Sequence, residues 1–150
     1  MQITLPILKT GLILFWSVWL SIVFLTNVLA ALKALGLLPE DWRFASSNYQ
    51  AVADTISEYS WPRRLAGVLF LGVILWQGLA VLLFWQAFFR YQDTASTGLA
   101  HINTAFGVSL GLWAAFMIAD ELFTVYRQES AHVLFFIGQL VTLLAIHLLP

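Results

Sequence analysis

Four long apolar stretches dominate the chain: Thr10 to Leu32, Leu65 to Phe89, Thr104 to Phe123 and Ser130 to Leu149. At about 1.5 Å of rise per helical residue each reaches about 30 Å, the thickness of a bilayer's hydrocarbon. Backbone in hydrocarbon must satisfy its own hydrogen bonds, so such stretches predict helices. The pattern therefore predicts an all-α fold, an integral membrane four-helix bundle in a single domain over residues 1–150, with a short interfacial helix in the first loop. Connections are a 33–64 segment, an Arg90 to Asn103 turn and a Thr124 to Glu129 link. Short links make successive helices antiparallel neighbours.

Within 33–64, Leu37-Leu38-Pro39 ends the first span and Ser46-Ser47-Asn48 reads as a cap for a helix from Tyr49 to about Tyr59. Val52, Ile56 and Tyr59 fall at helical spacing, and a helix at the interface would seat Trp42 and Trp61 among lipid headgroups. Two readings follow: a structured cap over the bundle, or a helix that binds a partner.

Composition excludes the alternatives to a membrane fold. The chain is 61% hydrophobic and 10% charged, against about 45–50% and 25% for soluble domains. A net charge of −1 offers no basic face for nucleic acid, and the absence of cysteine removes disulfide and thiolate chemistry. The Gly11 to Leu32 stretch exceeds the about 7–15 apolar residues of a signal peptide and matches a span.

Counting spans divides the charges unequally. The side of the first and third connections takes seven of the eight acids and five of the seven Lys and Arg residues. The positive-inside rule makes that side cytoplasmic, but the excess of acids and the length of the first connection leave the orientation open.

Polar residues inside hydrocarbon are the candidates for chemistry, each weighed against a role in packing. Gln77, Gln139, Ser17 and Ser21 fall near the middle of three spans and predict a midplane layer. That layer is either interhelical hydrogen bonding or a dock for a polar ligand or quinone head. Gly107, Gly111, Ala115 and Ala119 form a small-residue ridge, expected to pack against another span of the same chain, with a docking face for another subunit as the alternative. Asp120 and Glu121, just inside the hydrocarbon edge, predict a cluster with Arg127, Arg63 and Arg64, or a site that handles a proton or cation. Glu129 and His132 form one Glu-x-x-His pair, a spacing that di-iron bundles use twice; here capping is the expected role and a metal the alternative. His101 and His147 lie at span ends on the charge-poor side, as interfacial residues or as ligands of haem or a pigment. The residues themselves predict no cofactor and leave pigment, haem or bound lipid open.

Asn27, Trp42-Arg43-Phe44, Asn48-Tyr49, Trp76-Gln77, Gly111-Leu112-Trp113 and Ala119-Asp120-Glu121-Leu122-Phe123 together resemble a family of prokaryotic predicted small integral membrane proteins with four transmembrane helices. In that family an acidic residue commonly stands where this chain has Gln77. The resemblance implies the fold and a multi-pass location in a prokaryotic cytoplasmic (inner) or internal membrane, and it implies no activity.

The chain shows no nucleophile–base pair, phosphate loop or closed metal set. The expected function is a non-catalytic accessory or structural subunit of a larger membrane complex, respiratory or photosynthetic among the options. The expected partners are lipid and other membrane subunits or further copies of itself, and not nucleic acid. The alternative is a small transporter or a lipid- or quinone-binding protein.

Overall fold

A computed structural model describes residues 4–93 and 95–149, including the side chains of all but 92, 93 and 95–97. Its helices are α1 (Leu5–Ala34), α2 (Asn48–Glu58), α3 (Arg63–Asp93), α4 (Ala95–Leu122) and α5 (Tyr126–Leu148). The fold is all-α: α1, α3, α4 and α5 are long and apolar enough to cross a membrane, and the short α2 stands between α1 and α3.

The spans are longer than the apolar runs predict, most of all around the second connection. Residues Arg90 to Asn103 were expected to form a turn, yet helix continues to Asp93 and resumes at Ala95. Thr94 lies outside the described residues. The reason is packing, because Tyr91, Leu99 and Ile102 continue the apolar stripes into the core. A Cβ on Gly98 would lie 2.7 Å from the Tyr91 Cα, so only glycine lets the two backbones approach this closely.

Three helix ends close in the same way. After α1, Gly36 (φ 72°) donates to Lys33 O at 3.0 Å and Leu37 to Leu32 O at 2.9 Å. After α2, Ser60 (φ 56°) donates to Ser57 O and Trp61 to Ile56 O. After α4, Thr124 (φ 52°) donates to Glu121 O and Val125 to Asp120 O. Each is a left-handed Schellman stop that satisfies carbonyls the helix leaves open. The last of these separates Asp120 and Arg127, expected to cluster, onto different helices.

The chain forms two compact units. The first comprises Met1–Leu20 and Leu79–Pro150. Its core gathers Ile13, Trp16 and Leu20 with Phe84, Ala87, Ile102, Phe106, Trp113 and Ile146. The buried stripe of α4 runs Ile102, Ala105, Phe106, Ser109, Leu112 and Trp113, the spacing of one helical face.

The second unit, Ser21–Gly78, packs Ala30, Phe70 and Ile74 with Tyr49 and Val52 of α2. Tyr49 meets Phe70 edge to face at 5.5 Å, and Ile56 is buried. The apolar face of α2 is thus used within its own unit, as a structured cap requires. In the outer faces of the spans, Leu14, Val18, Ile22, Leu71, Leu75, Leu82, Leu134 and Val141 are exposed and meet lipid.

Candidate functional site

In the Ser21–Gly78 unit, one amide organises the polar interior. Asn27, buried on α1, donates from Nδ2 to Gln77 Oε1 on α3 at 2.8 Å. Its Oδ1 accepts from Ser46 Oγ at 2.6 Å and from Asn48 Nδ2 at 2.8 Å. The Ser46 backbone adds a bond to Thr26 O at 3.0 Å. Asn27 therefore uses three of its four hydrogen-bonding sites.

This bears on two expectations. Ser47 stands at the N-cap of α2 but makes no side-chain capping bond; Ser46 and Asn48 turn to Asn27 instead, and in hydrocarbon an amide without partners is costly enough to claim them. Gln77 makes an interhelical hydrogen bond, as one of the two readings of its layer expects, but its partner is Asn27 and not a residue of that layer. Of the other layer residues, Ser17 returns its hydroxyl to Ile13 O on its own helix at 2.8 Å, and Ser21 is half-buried.

In the other unit, α4 and α5 form an antiparallel pair with polar contacts at both ends. At one end His132 Nδ1 donates to Asp120 Oδ2 at 2.5 Å. Both side chains are largely buried, and Phe116 stacks on the imidazole at 4.9 Å. At the other end His147 Nε2 donates to Asn103 Oδ1 at 2.6 Å. His147 thus pairs with Asn103 and not with His101, which is half-buried near the start of α4.

The expected charged cluster is rearranged. Asp120 takes its bond from His132, which stands as far beyond Tyr126, where α5 begins, as Asp120 stands before it, whereas Arg127 is exposed in the first turn of α5. Glu121, Arg63 and Arg64 are exposed as well. His132 spends its Nδ1 on Asp120. Among the described residues no three His, Asp or Glu side chains gather into a group able to hold a metal ion.

The small-residue ridge opens outward at its Gly107 end: Gly107 is exposed, and a Cβ there would meet no atom within 4 Å. Gly111, Ala115 and Ala119 are half-buried. The buried face of α4 is the larger-residue stripe through Phe106 and Trp113. Bulk fills this interior where a smooth ridge was expected to.

Between the two polar ends of α4–α5 lie the buried polar side-chain atoms that find no partner among the described residues. Gln139 is fully buried, and neither its Oε1 nor its Nε2 has a partner. The same holds for Trp113 Nε1 and Ser109 Oγ on α4. Around Trp113, the rings of Trp19 and Phe135 pack at centroid distances of 6.0 and 4.9 Å. Trp16 donates from Nε1 to Thr142 Oγ1 at 3.1 Å.

Asn27, His132, Trp113 and Ser109 are polar residues whose roles the span pattern alone does not rank. For His132 the turn alone gave no signal, since Asp120 stands three residues before the 123–125 link and His132 seven beyond it.

No protein-family model, curated protein or solved structure matches this chain. The fold and its four apolar helices define a small polytopic membrane protein. No particular family is identified, so the resemblance drawn from single residues reaches no further than that class.

Proposed function

We propose that this chain is a non-catalytic accessory or structural subunit of a larger membrane protein complex. The observation that carries the reading is the segment between α1 and α2. Asn27 ties it to the bundle through Ser46 and Asn48, yet it exposes Leu35, Leu37, Trp42 and Phe44. A Trp suits a headgroup belt, but a fixed turn that also holds out two leucines and a phenylalanine is suited to docking on another membrane protein. The experiment is purification from native membranes in mild detergent, with Leu37→Ser/Phe44→Ser as the comparison. The expected result is a stoichiometric partner that the double variant loses while its own melting behaviour is unchanged. A monomer or pure homo-oligomer in every mild detergent would reject the subunit reading.

A second reading, proton or cation handling, is favoured by the His132–Asp120 pair, because an ionisable pair held within a span is costly unless used or well compensated. Proton flux into proteoliposomes that falls to the protein-free rate in Asp120→Asn would support it. Equal flux in both proteins would leave the pair as a structural bond.

A further inference from the structure

Gln139, Trp113 and Ser109 present four orphaned polar atoms: one indole N–H, one hydroxyl, and both ends of an amide. Native interiors leave few such groups, and hydrocarbon offers no water to relieve them. The four are also close in depth. The contacts of Asp120 with His132 and of Asn103 with His147 fix the antiparallel register of α4 and α5. That register sets Gln139 opposite Leu112 and Trp113, with Ser109 one turn from Trp113 on the same buried stripe. From these placements we propose that the α4–α5 interior binds the head of an uncharged, quinone-class amphiphile.

The chemistry of the group selects that class. No charged side chain stands in the layer, so the ligand is neutral. The indole N–H and the Gln139 Nε2 are donors and suit carbonyl oxygens, whereas Gln139 Oε1 and Ser109 Oγ can accept from hydroxyls. A head with two oxygens, as carbonyls or as hydroxyls, therefore finds partners in either form. The neighbouring walls are aromatic, since Trp19, Trp113 and Phe135 pack ring against ring at 4.6 to 6.0 Å with their planes tilted by 31 to 47°. Such walls favour a planar conjugated ring over an aliphatic head.

Depth separates this ligand from a phospholipid. Gln139 lies well inside α5, about 20 Å from its start and about 14 Å from its end at 1.5 Å per residue. A phosphate drawn to that depth would lose its hydration, while a quinone head already dissolves in hydrocarbon. Access runs past α5, the span with the smallest buried share, 11%, against 28 to 33% for the others. Its Gly138 adds no side chain beside Gln139, and Ile137 and Leu140 face outward.

The test uses the full chain in nanodiscs, with decylubiquinone as the probe and tryptophan quenching as the readout, corrected by protein-free discs for partitioning. Saturable binding is expected, weakened about tenfold by Gln139→Leu, the effect of one lost buried hydrogen bond of about 1.4 kcal/mol. Equilibrium retention of the probe provides the same comparison for Trp113→Phe, which removes the indole donor and keeps a ring. Ser109→Ala serves as a third variant should Gln139→Leu fail to fold. Absence of saturable binding, or affinity unchanged in the variants that fold, would overturn the proposal. Equal competition by a diacylglycerol would overturn the assignment to a ring-bearing ligand.

Discussion

His132 reaches back across the α4–α5 turn to place its Nδ1 2.5 Å from the Asp120 carboxylate. The contact converts an acid inside a span from a lone polar group into half of a pair, with Phe116 covering the imidazole. Removing either half leaves the other buried without compensation. His132→Leu is therefore expected to destabilise the protein by about 2–4 kcal/mol, and His132→Leu/Asp120→Leu by less than the sum of the single changes. Denaturation in mixed micelles measures both; additive costs would show that the pair is not coupled.

Asn27 supports the first connection from inside the bundle. Asn27→Leu strands Gln77 Oε1 and releases Ser46 and Asn48, at an expected cost of about 2 kcal/mol. The same change should increase proteolysis between α1 and α2. Protection equal to that of the unaltered protein would mean that the α2 packing through Tyr49, Val52 and Ile56 holds the segment unaided.

Two glycines on α4 should respond in opposite ways. Gly98→Ala drives a methyl against the Tyr91 backbone, and overpacking of this kind costs about 1–3 kcal/mol. Gly107→Ala meets only open space within the chain and should stay within about 0.5 kcal/mol, or gain slightly from its higher helix propensity. A loss at Gly107 comparable to that at Gly98 would show that the open end of the ridge is covered by another molecule.

Gly36 closes α1 at φ 72°. Gly36→Ala places a side chain in a left-handed conformation and is expected to cost about 1 kcal/mol, with Gly36→Asn costing less. Melting temperatures of the three proteins give the order; equal values would show that the stop is held by its flanking bonds alone.

The spans were legible because lipid imposes a simple condition: long apolar runs must be helical. Their ends were less legible. Polar residues from Arg90 onward resemble a turn, yet Tyr91, Leu99 and the close approach at Gly98 carry the helices through that stretch. The candidate polar residues were found individually, while their partners were not. Gln77 and Gln139 look equivalent on hydropathy alone, but one finds Asn27 and the other finds nothing. Asp120 attracts the nearest arginine when charges are counted along the chain, whereas geometry gives it a histidine. Which polar groups meet depends on helix rotation and register, and runs of apolar residues encode those only loosely.

The brevity of the α4–α5 turn has a consequence for how the protein enters its membrane. Only Phe123, Thr124 and Val125 separate the two helices, so neither can settle in the bilayer long before the other. A nascent chain that has delivered α4 alone carries Asp120 into hydrocarbon with its imidazole partner still to come. The two helices then behave as one unit of insertion, and the later-made helix makes the earlier one tolerable to lipid.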